Sequence, residues 1–409
     1  MARRRKSSKS RRAGRRRGPP TIRTVIAVLL LLLVGYLIQQ GYIEIDLEQL
    51  GEVEDLEDLG ELIEVAPVAS EPPDPLVYED GTGSIQAFFT TPWLVYPDEP
   101  ERRTPPPHET ALIADIDAAQ QQVDVAVFEY NLRGIADALI RAVERGVAVR
   151  LALDRENLEK PEMAEWAGRL EAAGIPIAWQ DSTAFLHSKF VIIDNALVWM
   201  GSWNMTINGT YRNNNNLLRI TIQRVVANYA IEFEQMFAGT FGNDKESLSP
   251  YPLIQVGTVT IENYFSPQDR PAPRLVEWLA GAQSSIHFLA FSFTSDEIAQ
   301  AMVDRHAAGV TVQGVFETRN AGGIGAEFDT LQSQGIAVLD DGNCYTMHHK
   351  VIIIDERTVI TGSYNFTKRA EETNDENLLI VDDPTLAGQF MEEFERVYEQ
   401  AQHPTQCGR

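Results

Sequence analysis

The sequence predicts an α/β protein built from two duplicated halves, each a mixed β-sheet flanked by helices, packed about a pseudo-two-fold axis. Three observations predict it. His187, Lys189, Asp194, Gly201, Ser202, Asn204 and Asn216 recur as His348, Lys350, Asp355, Gly362, Ser363, Asn365 and Asn377, every pair 161 residues apart. A register held over about thirty residues is an internal duplication. Apolar runs of strand length alternate with segments of helical spacing in both parts, the pattern of α/β folds. At 409 residues and 44% hydrophobic content, the chain is long enough for two cores.

The N-terminal part predicts no globular structure. Residues 1–23 hold eleven of the 35 Lys and Arg residues and no acid, and read as a basic cytoplasmic tail. Residues 24–42, apolar from Val25 to Ile38, read as a signal anchor. The stretch is short for a span, which needs about 17 to 25 residues. It also lacks small residues for cleavage, so the expectation is an uncleaved single-pass anchor with the N-terminus cytoplasmic and the catalytic body outside. Cleavage would give a secreted form instead. Residues 43–83 carry fourteen Asp and Glu between Glu44 and Asp80, without Lys or Arg, and read as an acidic disordered linker.

The first half is expected over 84–241. Ile85–Thr90 alternates as a strand, and Pro92–Pro107 is a Pro-rich loop. Glu109–Gln122 has helical spacing, Val123–Phe128 is a buried strand, and Ile135–Arg145 is a helix stopped at Gly146. Val147–Leu153 and Ile175–Trp179 are strands around the helix Ala164–Ala173. Phe190–Ile193 and Leu197–Met200 follow the His187 motif, and Asn228–Phe237 closes the half. After a linker at 242–256, the second half at 257–403 repeats this order. Val259–Phe265 echoes the first strand, Ile286–Phe291 echoes Val123–Phe128, and Thr385–Tyr398 is the closing helix.

Charge limits the partners. Beyond residue 23, 24 basic residues face 59 acidic ones, a balance of about −35. Such a body is a poor general binder of nucleic acid or anionic membrane, because phosphate affinity comes from Lys and Arg. Two cysteines, Cys344 and Cys407, exclude a disulfide framework or a four-cysteine metal site. They could pair in an exported body.

In a strand, His187 and Lys189 project to the same side, and so do His348 and Lys350. Asn204, Asn365, Asn216 and Asn377 add amide donors, and Ser202 and Ser363 add hydroxyls. Two histidines and two lysines facing one site suit a phosphodiester. One His attacks phosphorus, the other protonates the leaving oxygen, and the Lys and Asn groups hold the non-bridging oxygens. The lysines supply the positive charge of a metal, so no metal and no cofactor is expected. Asp194 and Asp355 are expected to support the site, although they suit turns better than substrate contact. Glu129 and Ser292 at matching strand ends are expected near the site. Thr318–Gly325 reads as a loop, and His287 and His306 as structural.

His-x-Lys-x4-Asp with Gly-Ser-x-Asn, present twice, resembles the phospholipase D superfamily over roughly 84–400. The second half is similar to the small single-motif members, the bacterial nuclease and mitochondrial cardiolipin hydrolase types. The resemblance implies a phosphohistidine intermediate, hydrolysis or transphosphatidylation, and no metal. It also implies that an acidic residue before the final Asn contacts the motif His. That residue is Glu376 in the second half and Asn215 in the first. The expectation follows that Glu376 supports His348 as general acid, leaving His187 as nucleophile beside a neutral amide. The expected function is a membrane-anchored phosphodiesterase acting on phospholipid head groups; the alternative is a nuclease on DNA or RNA using the same site. With both motifs in one chain, the catalytic unit is expected to be monomeric.

Overall fold

The computed structural model describes residues 43–45, 63–65, 73–78, 83–90 and 104–404. Residues 1–68 and 69–409 form separate compact units. In the first, β1 (Ile43–Ile45) pairs antiparallel with β2 (Ile63–Val65), so the acidic stretch carries two short strands. Most of that stretch, with the basic tail and the 24–42 segment, lies outside the described residues.

The expectation of a single-pass anchor, with an extracytoplasmic or secreted body, is corrected. No helix among the described residues is long and apolar enough to cross a membrane. The physical reason is length. The 14-residue run Val25–Ile38 spans about 21 Å as a helix, short of a hydrocarbon core of roughly 30 Å.

In the larger unit, β3 (Leu76–Val77) edges the first sheet, followed by β4 (Ser84–Thr90), α1 (Pro107–Ala118), β5 (Gln122–Val127), α2 (Arg133–Glu144), β6 (Ala148–Asp154), α3 (Pro161–Ala172) and β7 (Ile177–Gln180). Then come β8 (Lys189–Ile193), β9 (Leu197–Gly201), α4 (Ile207–Tyr211), β10 (Asn213–Ile220) and α5 (Gln223–Phe237). The second half contains β11 (Leu253–Val256), β12 (Val259–Ser266), α6 (Ala272–Gly281), β13 (Ser285–Ala290), α7 (Asp296–Ala307), β14 (Thr311–Phe316), α8 (Thr318–Ala321), α9 (Phe328–Ser333) and β15 (Ala337–Asp340). It ends with β16 (Thr346–Met347), β17 (Lys350–Ile354), β18 (Thr358–Gly362), α10 (Lys368–Glu372), β19 (Glu376–Asp382) and α11 (Pro384–Gln402).

The two sheets share one strand order. The first runs β3-β4-β10-β9-β8-β5-β6-β7 and the second β11-β12-β19-β18-β17-β13-β14-β15. In each, three strands at one end are parallel and the others along that order antiparallel, which makes the sheets mixed; in the first, β16 also joins β10 in parallel. Side-chain alternation assigns the layers. Phe190 and Ile192 of β8 face a central core with α5 and α11, whereas Val191 and Ile193 face the outer helices of their own half. Val351 and Ile353 of β17 enter the same central core, and Ile352 and Ile354 the outer core of the second half. Tyr229, Phe233 and Phe390 are buried there, each large side chain contributing about 1.5–3 kcal/mol.

Three departures from the sequence reading have local causes. α1 stops at Ala118 rather than Gln122 because the Asp194 carboxylate accepts the backbone N–H groups of Gln120, Gln121 and Gln122. The stretch 242–256 is more than a tether, since β11 is an edge strand and Lys245 is buried. β10 was not expected as a strand, because its four asparagines disfavour strands. Burial overrides that propensity: Asn214, Asn215 and Asn216 are 0% exposed.

Candidate active site

The motif begins at the start of β8 and of β17, which places each His-x-Lys where the two halves meet. The halves exchange backbone hydrogen bonds there. The His187 N–H donates to Asp375 O at 2.9 Å, and the His348 N–H donates to Asn214 O at 2.9 Å. β16, just before His348, pairs in parallel with β10 of the other half.

Side-chain pairing crosses the same boundary. His187 Nδ1 meets Glu376 Oε2 at 2.7 Å, and His348 Nδ1 meets Asn215 Oδ1 at 2.9 Å. The expectations that Glu376 supports His348 and that His187 lies beside a neutral amide are therefore both corrected: the carboxylate is on His187 and the amide on His348. β10 and β19 each end against the motif of the opposite half, so each partner residue reaches the other half's histidine. Ser202 Oγ donates to Asn215 Oδ1 at 3.0 Å, and Ser363 Oγ donates to Glu376 Oε2 at 2.6 Å. The Gly-Ser-x-Asn serines thus orient the partners of the histidines. The glycines before them allow close strand approach. A Cβ on Gly201 would lie 2.2 Å from Asn216 O, and one on Gly362 would lie 2.1 Å from Asn377 O.

The centre is nearly closed to solvent. His187, Lys189, His348 and Lys350 are 8%, 2%, 6% and 1% exposed. Lys189 Nζ donates to His187 O, and Lys350 Nζ donates to His348 O at 2.8 Å. The Phe128 ring packs against His187 at 5.2 Å and beneath Lys189 at 5.4 Å. Phe291 packs against His348 at 4.7 Å and beneath Lys350 at 4.3 Å. Burial pushes Lys189 down to about 7, against the pull of Glu376, and pushes Lys350 well below the usual lysine range. Burial likewise lowers both histidines, with Lys189 and Lys350 adding to it; for His187 alone, Glu376 opposes the shift. Two imidazoles and two amines thus crowd around one carboxylate. An anion arriving there would relieve this repulsion and favour the charged lysines.

The remaining expected residues divide clearly. Asn204 is 8% exposed, with Nδ2 donating to Glu129 at 3.0 Å and Oδ1 without a partner. Glu129, ion-paired with Lys160, therefore borders the site through Asn204. Asn365 is half-buried, and its Oδ1 also lacks a partner. Asn216 and Asn377 do not face His187 and His348, because strand alternation turns them from the side of Asn215 and Glu376. Asn216 bonds Thr361 and His349, and Asn377 accepts from Tyr229. Asp194 and Asp355, expected as support residues, sit at the far ends of β8 and β17. Each binds backbone N–H groups at the start of a neighbouring strand, Gln120–Gln122 and Gln283–Ser285. The turn needs them at φ 52 and 54, a conformation Asp tolerates better than most residues.

Sequence reasoning gave no site role to Asn215's contact with His348, to Phe128 and Phe291, or to His349. The two phenylalanines end strands 163 residues apart, which is a signal of the right kind. His349 is fully buried, between Asn216 Oδ1 at 3.0 Å and Glu393 Oε1 at 2.8 Å. Cys344 is disulfide-bonded, and Cys407 lies outside the described residues. Among the expected structural histidines, His287 packs on Phe394 at 4.8 Å.

Known proteins are similar to this chain. A family model described as the PLD-like domain of cardiolipin synthase matches twice, over 112–237 and 275–398. A mitochondrial cardiolipin hydrolase of Xenopus laevis is 36% identical over 132 residues, 32% of this chain and 63% of that protein. A phospholipase D of Rickettsia bellii is 30% identical over 144 residues, 35% of this chain and 72% of that protein. The chain thus spans less than two thirds of the cardiolipin hydrolase. The crystal structure of phosphatidylserine synthase from Haemophilus influenzae superimposes with a TM-score of 0.58 over 82% of this chain and 89% of that one, at 12% identity, a likeness of fold. With two PLD-like domains covering more than half its length, the chain belongs to the phospholipase D superfamily.

Proposed function

We propose that the protein is a phosphodiesterase that hydrolyses phospholipid head-group diesters through a phosphohistidine on His187. The contact between His187 Nδ1 and Glu376 Oε2 carries the assignment. A carboxylate on Nδ1 fixes the tautomer with its lone pair on Nε2 and stabilises the charge that grows on the ring during attack. Nε2 of His187 attacks phosphorus, and the bond from phosphorus to the head-group oxygen breaks. The bound diester's negative charge favours the charged form of His348, which gives its Nε2 proton to that oxygen. A water then loses a proton to His348 and attacks phosphorus, and the P–N bond breaks to release the phosphomonoester. Lys189, Lys350, Asn204 and Asn365 hold the non-bridging oxygens.

Lipid is favoured over nucleic acid by two observations. The relatives are named for cardiolipin hydrolysis and phospholipase D activity. The chain beyond residue 23 is strongly acidic, which suits a long polyanion poorly. The test is an assay of the full chain on phosphatidylcholine vesicles, cardiolipin vesicles and single-stranded DNA, with His187→Ala as control. Lipid cleavage lost in the variant is expected, and cleavage of DNA alone would overturn the substrate assignment. Acid-labile phosphate trapped on His348 rather than His187 would overturn the roles.

A further inference from the structure

The two joints between the halves differ behind the histidines. At the His348 joint, Asn214 supplies the carbonyl for the His348 N–H, and its side chain meets only the neutral groups of Gln400 and Asn343. At the His187 joint the matching residue is Asp375, 0% exposed. Its carboxylate binds Lys245 Nζ at 2.8 Å and the Gly242 N–H at 2.8 Å. Lys245 comes from the stretch linking the halves. Its side chain is 0% exposed, and it also binds Glu232 of α5.

Asp375 is tied to the site through its backbone as well. Its carbonyl accepts the His187 N–H at 2.9 Å and the Ser188 hydroxyl at 3.2 Å, and its N–H donates to Phe185 O at 2.8 Å. Adjacent residues of an extended chain project to opposite sides. Glu376 therefore reaches His187 from one side of the backbone while Asp375 is held by Lys245 on the other.

From this geometry we propose that Lys245 is a positioning residue. It clamps Asp375 so that Glu376 stays aligned on His187 Nδ1, which makes the inter-half linker part of the nucleophile's support. The inference rests on the reading of His187 as nucleophile. Glu232 serves as the internal control, because it shares the buried lysine but has no bond to the Asp375–Glu376 segment.

The experiment compares Lys245→Met, Asp375→Asn and Glu232→Gln in the full chain. It measures kcat and KM on bis(p-nitrophenyl) phosphate, the pH profile, Tm, and the downfield proton resonance of the His187 Nδ1–H. A misplacement of about 1 Å in a reacting group costs on the order of 100-fold. Lys245→Met and Asp375→Asn are therefore expected to lower kcat by about 10- to 100-fold with KM changed less than about threefold. In Asp375→Asn the acid limb of kcat/KM moves to lower pH, since His187 loses carboxylate support, and the His187 resonance moves upfield. Glu232→Gln lowers Tm but keeps kcat, the acid limb and the resonance. Should Lys245→Met fail to fold, Asp375→Asn decides alone. Wild-type kcat and resonance in Asp375→Asn, or equal kcat losses in Asp375→Asn and Glu232→Gln, would overturn the clamp. If the wild type leaves the diester intact, the functional reading falls, and the resonance comparison still decides the clamp.

Discussion

The two half-sites have the same His-x-Lys, the same phenylalanine beneath the lysine and the same serine behind the partner residue, yet one partner is a carboxylate and the other an amide. His187 rests on Glu376 and His348 on Asn215, each supplied by the opposite half. The difference lies in a single residue at the start of β19 and its counterpart in β10, outside the repeated motif itself. The repeat alone makes the two histidines equivalent; the proposed division of their roles rests on one difference across the boundary. A nucleophile gains from a carboxylate on its far nitrogen, and an acid gains from a partner that does not hold the proton too firmly.

Breaking the asymmetry should have the largest effect. Glu376→Gln keeps the shape but removes the charge, and kcat is expected to fall by about 10²- to 10⁴-fold, the range of a general acid–base contribution. Asn215→Ala should cost far less, about tenfold, the worth of one neutral hydrogen bond of roughly 1.4 kcal/mol. Equal losses in the two variants, measured as kcat on the same diester, would remove the division of roles.

The lysines sharpen the comparison through pH. Lys189 is lowered to about 7 by burial, so the empty protein loses this positive charge as pH rises through about 7. kcat/KM is therefore expected to fall on the alkaline side through a weaker hold on the diester, seen as a rising KM. Lys189→Arg keeps the charge at all these pH values and should carry that limb upward by more than one pH unit, even if its fit lowers the maximum. A limb that stays in place would assign it to another group.

The smallest effect on activity is expected far from the histidines. Asp194→Ala removes the acceptor for three backbone N–H groups. It should lower stability by about 1–2 kcal/mol, comparable to loss of a helix cap, and leave kcat unchanged. Thermal unfolding together with the diester assay checks both parts.

Much of this was legible in the sequence, because repetition and alternation are local signals. The duplicated α/β halves, both histidines, both lysines and the glycine–serine turns could be numbered from one register. What was not legible depends on which strand end meets which. The sequence places Glu376 and His348 in one half, and only the arrival of β19 beside β8's motif turns the carboxylate onto His187. Asn216 and Asn377 were read as facing substrate, when strand alternation turns them away and their neighbours Asn215 and Glu376 reach the histidines. Lys245 carried no pattern at all, since a single lysine in a linker is ordinarily solvated and here is enclosed by two carboxylates.

The exchanged strand ends also fix when the site can exist. The His187–Glu376 bond closes a separation of 189 residues, and the His348–Asn215 bond one of 133. Contacts this distant in sequence form late, after local helices and hairpins have already settled. In a chain emerging N-terminus first, the second half must be made and docked before either imidazole has its partner. Reactive chemistry is thereby withheld from the nascent chain and granted only to the finished one.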